Sequence, residues 1–178
     1  VTVRDVAVCA VTVAGVPANP TPAKVLNMSL GSTGACSADY RDAVAAANAQ
    51  GAVVVAAAGN SEGHAVGTPA NCPGMIAVAG LRHAGTKVGF SDLGPEITIG
   101  APGGNCINTG DADPCLYPIV TTTNMGRTVP LAGGSAYTSA FDITVGTSFA
   151  APIVAGTAAL VLSARPGLTP SEVKSVIQ

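Results

Sequence analysis

Ser148, in the segment VGTSFAAPIVAG (145–156), is the side chain in this sequence best suited to act as a nucleophile. A serine hydroxyl attacks a carbonyl carbon when a neighbouring base takes its proton and hydrogen-bond donors receive the resulting oxyanion. The residues after Ser148 predict a helix, and the first N–H groups of a helix lack intrahelical acceptors and favour negative charge. Gly146 admits a substrate chain, and Ala150 and Ala151 allow close packing beneath the site. The same residues also fit an ordinary helix N-cap serine.

Two strands and a helix precede this segment and must position anything that acts with it. The apolar runs 24–30 (KVLNMSL) and 52–58 (AVVVAAA) predict buried strands, each followed by a glycine. Between them, Ser37 can cap a helix that stops at Gly51. A strand, a helix and a second apolar strand form a βαβ unit, which implies a parallel sheet.

The rest of the chain predicts more strands and two further helices. The apolar run 75–81 predicts a third buried strand. Shorter strands are expected near 86–90, 97–101, 119–123 and 128–132, and alternating valines weakly favour a strand over 1–13. The helix from Ser148 to Ala164 is almost entirely apolar, which predicts burial on all sides. Thr169 and Glu172 form a capping box for the last helix.

Composition excludes several classes of protein. The 178 residues are 48% hydrophobic and 10% charged, which suits one domain with a hydrophobic core and not a disordered chain. The formal charge of −2 without a basic run argues against nucleic-acid and anionic-membrane partners. Residues 143–164 are apolar enough for a membrane span, but their glycine, proline, serine and threonine residues fit a buried helix better. No basic start precedes an apolar block as in a signal peptide, so a mature or trimmed product is expected.

The five cysteines are compatible with either an oxidising compartment or the cytosol. Cys36 and Cys72 lie in turn-rich stretches and could pair, and Cys106 and Cys115 flank a polar loop that suits a small disulfide. Cys9 would then pair with a segment outside this chain. Five reduced thiols in a cytosolic protein are the alternative, but cysteines in loops favour the oxidising compartment and a secreted protein.

Four motifs together resemble a known family. The segment GTSFAAP, 146–152, resembles the nucleophile motif of the subtilisin-like serine proteases, or subtilases. The other three resemble a substrate-lining strand, a strand ending in an oxyanion-hole asparagine and a linking segment: NMSLG (27–31), VVVAAAGN (53–60) and FSDLGPEITIGAPG (90–103). The resemblance implies an α/β fold with a mostly parallel, twisted sheet flanked by helices. It further implies that residues 1–178 are the C-terminal portion of a single catalytic domain, incomplete at the N-terminus.

The resemblance also implies roles for individual residues in a serine endopeptidase that works through an acyl-enzyme. Ser148 matches the nucleophile, and Asn60 matches the side chain that stabilises the tetrahedral intermediate together with the Ser148 N–H. The family's strand edge that pairs with substrate corresponds here to Ser29, Leu30 and Gly31. One wall of the pocket for the residue before the scissile bond corresponds to Ala57, Ala58 and Gly59. Without the resemblance, Asn60 would be interpreted as a turn residue and Leu30 as a core residue.

The family's aspartate and histidine motifs, Asp-Ser/Thr-Gly and His-Gly-Thr, do not occur in this sequence. His64 and His83 both follow Asn60, where the family has no base, and are expected on loops or the surface. We therefore expect the base and its orienting acid on an upstream segment of the same domain, and expect this chain to be nearly inactive alone. The other expected partner is a protein or peptide substrate.

The implied chemistry requires no cofactor, although subtilases often bind structural calcium through loop oxygens. Asp111 and Asp113, in GDADP (110–114), are candidate ligands if backbone carbonyls complete the shell, and a solvated acidic turn is the alternative.

A second function class is a non-catalytic binding or structural module derived from the protease fold. The missing base favours that class, whereas the retained Ser148 and Asn60 argue against it. A nucleotide-binding protein is excluded because no G-x-G-x-x-G or P-loop follows a strand.

Overall fold

A parallel four-stranded sheet forms the centre of the structure, a computed structural model that describes residues 21–105, 118–140 and 144–178. Its order is β1-β2-β3-β4, with bounds Val25–Met28, Val53–Ala57, Met75–Leu81 and Ile97–Pro102. All three strand pairs are parallel, and strand order follows chain order. The predicted α/β fold with a parallel sheet is confirmed.

Helices α1 (Ala38–Ala49) and α2 (Thr147–Ala164) cover opposite faces of this sheet. Successive side chains of a strand point to opposite faces, so β2 contributes to two cores. One core joins alternate β2 residues to Val44 and Ala47 of α1, and the other joins the intervening residues to α2. The β2 residues that face α2 are Val53, Val55 and Ala57, each at most 5% exposed.

Local capping sets the ends of α1 and of α3 (Pro170–Ile177) as predicted. Ser37 accepts a hydrogen bond from the Tyr40 N–H at 3.3 Å. In the capping box of α3, the Thr169 hydroxyl accepts from the Glu172 N–H at 3.3 Å, and the Glu172 carboxylate accepts from the Thr169 N–H at 2.7 Å. Hydrogen bonds from the Thr169 side chain and then its backbone lower the pKa of Glu172.

An antiparallel hairpin of β5 (Thr121–Asn124) and β6 (Ser135–Thr138) replaces part of the predicted pattern. The strand expected near 119–123 is present, but the one expected near 128–132 is wrong. The Asn124 side-chain oxygen accepts from the N–H groups of Gly126 and Leu131, which fold the intervening residues into a loop. The strand expected near 86–90 is also wrong, since only an isolated bridge forms there.

The burial predicted for β1 and α2 is also wrong. Only Met28 of β1 is buried, because β1 forms an edge of the described sheet. The sheet covers one face of α2, and the opposite face leaves Ile153 43% and Leu160 73% exposed. Of the described helices, only α2 is long and apolar enough to cross a membrane, with a mean hydropathy of 1.6. One face of this helix contacts all four strands of the sheet.

A disulfide joins Cys36, just before α1, to Cys72, just before β3, which confirms the predicted pairing. Residues 1–13 with Cys9, and the expected Cys106–Cys115 pair, lie outside the described residues.

Lys87 binds the backbone of its own loop and yields a stability prediction. Its ammonium donates to the carbonyl oxygens of Val88, Gly89 and Ser91, at 3.0 Å each. Lys87→Met would leave three partly buried acceptors without this donor, so we expect the free energy of unfolding to fall by about 1–3 kcal/mol. Thermal unfolding, with the exposed Lys24→Met as control, measures this. Equal melting temperatures for the two variants would contradict it.

Candidate active site

Three segments converge where the carboxyl ends of β1 and β2 meet the N-terminus of α2. Ser29 follows β1, Asn60 follows β2, and Ser148 is the second residue of α2. In open parallel sheets, ligands bind beyond the carboxyl ends of the strands. The structure thus brings together residues that are up to 119 positions apart in the chain.

Two hydrogen-bond donors lie beside Gly146, the N-cap of α2. A Cβ placed on Gly146 would lie 3.3 Å from Asn60 Nδ2, 3.7 Å from the Ser148 backbone nitrogen and 3.8 Å from Asn60 Oδ1, an oxygen that Thr147 already engages. Gly146 has a φ of +141°, which side-chain-bearing residues rarely adopt. Because Ser148 is in the first turn, its N–H has no intrahelical acceptor. A glycine therefore keeps open a position that two N–H donors can reach, which is the arrangement an oxyanion requires.

Thr147 orients the Asn60 side chain. The Asn60 side-chain oxygen accepts from the Thr147 N–H and from the Thr147 hydroxyl, both at 2.9 Å. The same hydroxyl accepts from the Gly59 N–H at 3.2 Å. With the amide oxygen engaged by two donors, the Asn60 NH₂ group is left to face the cleft. These contacts span 87 residues, so Asn60 is more than a local turn residue.

Sequence reasoning missed Thr147, which is fully buried. The available clue was a hydroxyl-bearing residue directly between Gly146 and Ser148. At the buried start of a helix, such a hydroxyl must find partners, because an unsatisfied buried polar group costs free energy.

Thr147→Val should separate orientation of Asn60 from folding. Valine retains the shape and the backbone N–H but loses the hydroxyl that donates to Asn60 and accepts from Gly59. With the expected upstream segment present, we expect kcat to fall about 5- to 12-fold, because one lost hydrogen bond of about 1–1.5 kcal/mol corresponds to that factor. Thr147→Ser, which keeps the hydroxyl, should stay near the unmodified rate. Equal rates for valine and serine variants on a chromogenic peptide would contradict this role.

The Ser148 hydroxyl is partly exposed and bonded to backbone. Its Oγ donates to the Ser29 carbonyl at 3.4 Å, while Ser29 Oγ donates to the Ser148 carbonyl at 2.7 Å. These bonds tie the predicted substrate-lining segment to the start of α2. His64 and His83 lie exposed in loops, as predicted, so in the described part of the chain neither bonds to Ser148.

A cavity of about 360 Å³ adjoins Ser148. Its lining includes the predicted pocket and strand-edge residues Leu30, Gly31, Ala57, Ala58 and Gly59, together with Asn60, Thr147 and Ser148. Leu30 is 51% exposed, which excludes the alternative that it is a core residue. Ser32 and Gly67 also line the cavity, and reciprocal backbone bonds of 2.9 Å join Ser32 to Thr68.

The calcium candidates Asp111 and Asp113 lie outside the described residues, so calcium binding stays a prediction. Within residues 21–105, 118–140 and 144–178, no group of three or more histidine, cysteine or acidic side chains could hold a metal ion.

Known proteins match this chain over most of its length. The subtilase family profile matches residues 7–178. The chain is 41% identical to an extracellular protease of Xanthomonas campestris over 94% of its own length and 26% of that protein, and 35% identical to an extracellular basic protease of Dichelobacter nodosus over 92% and 25%. It superposes on a protease structure from Pseudoalteromonas arctica with a TM-score of 0.81 at 38% identity, covering 93% of this chain and 46% of that one.

The chain therefore spans about a quarter of these two curated relatives and under half of the structural neighbour. The match over nearly the whole chain, together with the Ser148 and Asn60 arrangement, decides the family. The chain belongs to the subtilase family of serine proteases.

Proposed function

We propose that this chain is the C-terminal part of the catalytic domain of a secreted serine endopeptidase, with Ser148 as its nucleophile. The observation that carries the proposal is the convergence of Asn60 Nδ2 and the Ser148 N–H on the space left open by Gly146. Donors preorganised where charge develops supply a large share of catalysis in acyl transfer. A serine that only capped a helix would have no need of a second donor brought from β2.

The proposed reaction follows from these positions. Ser148 Oγ forms a bond to the peptide carbonyl carbon, its proton passes to a base, and the carbonyl oxygen becomes an anion held by Asn60 and the Ser148 N–H. Collapse of this intermediate breaks the C–N bond, the proton passes to the leaving amine, and an acyl-enzyme remains. Water then attacks the ester and releases the acid, which regenerates the Ser148 hydroxyl.

A polypeptide substrate fits the surface beside Ser148. Ser29, Leu30 and Gly31 extend from the end of edge strand β1, where an extended peptide can add by backbone hydrogen bonds. The side chain before the scissile bond would then enter the cavity of about 360 Å³. The alanine and glycine residues of its wall leave room for a large apolar side chain.

The base and its orienting acid are proposed to come from an upstream segment of the same domain. The relatives are longer than this chain, and the Ser148 hydroxyl reaches only a backbone carbonyl at 3.4 Å. The exposed face of α2 supports the same conclusion, because it carries no charged side chain although a solvent-facing helix normally does. This face consists of Pro152, Ile153, Gly156, Thr157, Ala159, Leu160, Ser163 and Ala164. A segment covering it would lie on the helix that carries Ser148.

Secretion is supported by two observations. The Xanthomonas and Dichelobacter relatives are named extracellular proteases. The disulfide between Cys36 and Cys72 suits an oxidising compartment, because cytosolic thiols are kept reduced.

A fluorophosphonate probe tests the function directly. The longer protein, meaning these 178 residues together with the proposed upstream segment, should react at Ser148 and should cleave a chromogenic peptide. Mass spectrometry of the labelled peptide identifies the site of reaction. The 178-residue chain alone should be nearly inactive and should gain activity when the upstream part is supplied. Robust turnover by the isolated chain would show that the base lies within it and would contradict the upstream assignment.

A non-catalytic module derived from the protease fold is the second candidate, favoured by the absence of the family's aspartate and histidine motifs from this sequence. It predicts neither labelling nor turnover even in the longer protein.

A further inference from the structure

Asp92 lies directly beneath the turn that presents Asn60. It is 3% exposed, so its carboxylate is buried. Its Oδ1 accepts a hydrogen bond from the Ser61 N–H at 2.8 Å, and its own N–H donates to the Gly59 carbonyl at 3.0 Å. One residue therefore holds the backbone on both sides of Asn60.

Gly59 permits this contact because it has no side chain. Its φ is +119°, and a Cβ at this position would collide with the second carboxylate oxygen of Asp92. The carboxylate thus packs against the bare Cα of Gly59, and a larger residue would push the turn away from it.

Backbone bonds extend the same contact, but they cannot replace it. The Glu62 N–H donates to the Phe90 carbonyl at 3.0 Å, and the Leu93 N–H donates to the His64 carbonyl at 2.9 Å. Both lie beyond the Gly59–Ser61 turn. Among the described residues of the 87–93 loop, Asp92 is the one whose side chain forms a hydrogen bond with this turn.

The burial of this charge calls for an explanation. In the described part of the chain the carboxylate forms no ion pair, and a buried carboxylate without a cation is costly. Asp92 also lines the same cavity as Asn60 and Ser148, where a negative charge would disfavour an oxyanion. A geometric role, in which an acceptor at this point is needed and the charge is not, accounts for both facts.

We propose that Asp92 is a positioning residue for the oxyanion hole, which fixes the Gly59–Ser61 turn so that Asn60 Nδ2 meets the tetrahedral intermediate. The inference rests on the proposed protease function. Thr147 sets the rotation of the Asn60 amide, whereas Asp92 sets the position of the backbone that carries it. A misplacement of about 1 Å in such a group lowers the rate by about 100-fold.

Asp92→Ala and Asp92→Asn in the longer protein test the proposal. Alanine removes the acceptor, and we expect kcat to fall about 10- to 100-fold with KM nearly unchanged, because the misplaced group acts only in the transition state. Asparagine keeps an Oδ1 acceptor without the charge, and we expect kcat within about threefold of the unmodified protein, since the hydrogen bond is retained. Loss of kcat in the asparagine variant equal to that of alanine would overturn the geometric role.

A double-mutant cycle separates positioning from general destabilisation. In an Asn60→Ala background, Asp92→Ala should cause little further loss of kcat, because it acts through Asn60. Additive losses would overturn the proposal. Thr98→Val is the matched control: it removes the partly buried hydrogen bond from the Ala77 N–H to Thr98 Oγ1 at 3.2 Å, between β3 and β4, so it should lower the melting temperature but leave kcat unchanged. An inactive unmodified protein would instead contradict the protease function itself.

Discussion

Ser148→Ala in the longer protein is expected to lower kcat by about 10⁶-fold, the loss that removal of the nucleophile causes in subtilisin. In the proposed mechanism the hydroxyl oxygen is the atom that bonds to substrate. No neighbouring described side chain offers a substitute, because Ser29 Oγ already donates to the Ser148 carbonyl at 2.7 Å. The residual rate would come from binding and the oxyanion donors, which together give about 10³–10⁴-fold over water in subtilisin.

Ser175→Ala, on the exposed surface of α3, is the matched control and should retain full activity. Rates on a chromogenic peptide and labelling by a fluorophosphonate should be lost together in the Ser148 variant alone. A Ser148→Ala protein that still forms a covalent adduct would place the nucleophile elsewhere and reject the mechanism.

The second large effect is expected at Asn60. Asn60→Ala removes one of the two donors that face the space beside Gly146. We expect kcat to fall by about 10²–10³, corresponding to about 2.7–4 kcal/mol, the effect of removing such a donor in subtilisin. KM should change little, because the donor acts on charge that exists only in the transition state.

Two further variants sharpen this result. Asn60→Asp retains the oxygen that accepts from Thr147 but replaces the NH₂ with an anion, so it should be at least as slow as the alanine variant. Asn48→Ala is the control, since the Asn48 side chain donates to the Gly74 carbonyl at the far end of the sheet. If Asn60→Ala raised KM and left kcat unchanged, Asn60 would be a ground-state binding residue.

Local chemistry made several elements predictable. Ser37 and the Thr169–Glu172 pair cap helices through hydrogen bonds within three residues, so their sequence suffices to place the helix starts. The apolar runs around Val53–Ala57 and Met75–Leu81 are buried on both faces of a parallel sheet, which makes them continuous rather than alternating. The apolar runs in β1 and α2 predicted more burial than the structure has, because burial depends on neighbouring elements that the sequence alone does not identify.

The amino-acid sequence by itself indicated the family, the βαβ framework and the candidate roles of Ser148 and Asn60, because motifs and caps are local patterns. It left the Cys36–Cys72 pairing as one of two possibilities, which the structure decided. Only the tertiary structure decided how those residues are held: Thr147 meets Asn60 across 87 positions, and Asp92 meets Ser61 across 31. The physical reason is that a hydrogen bond depends on the distance and direction between two groups. For distant residues, the path of the chain sets both quantities.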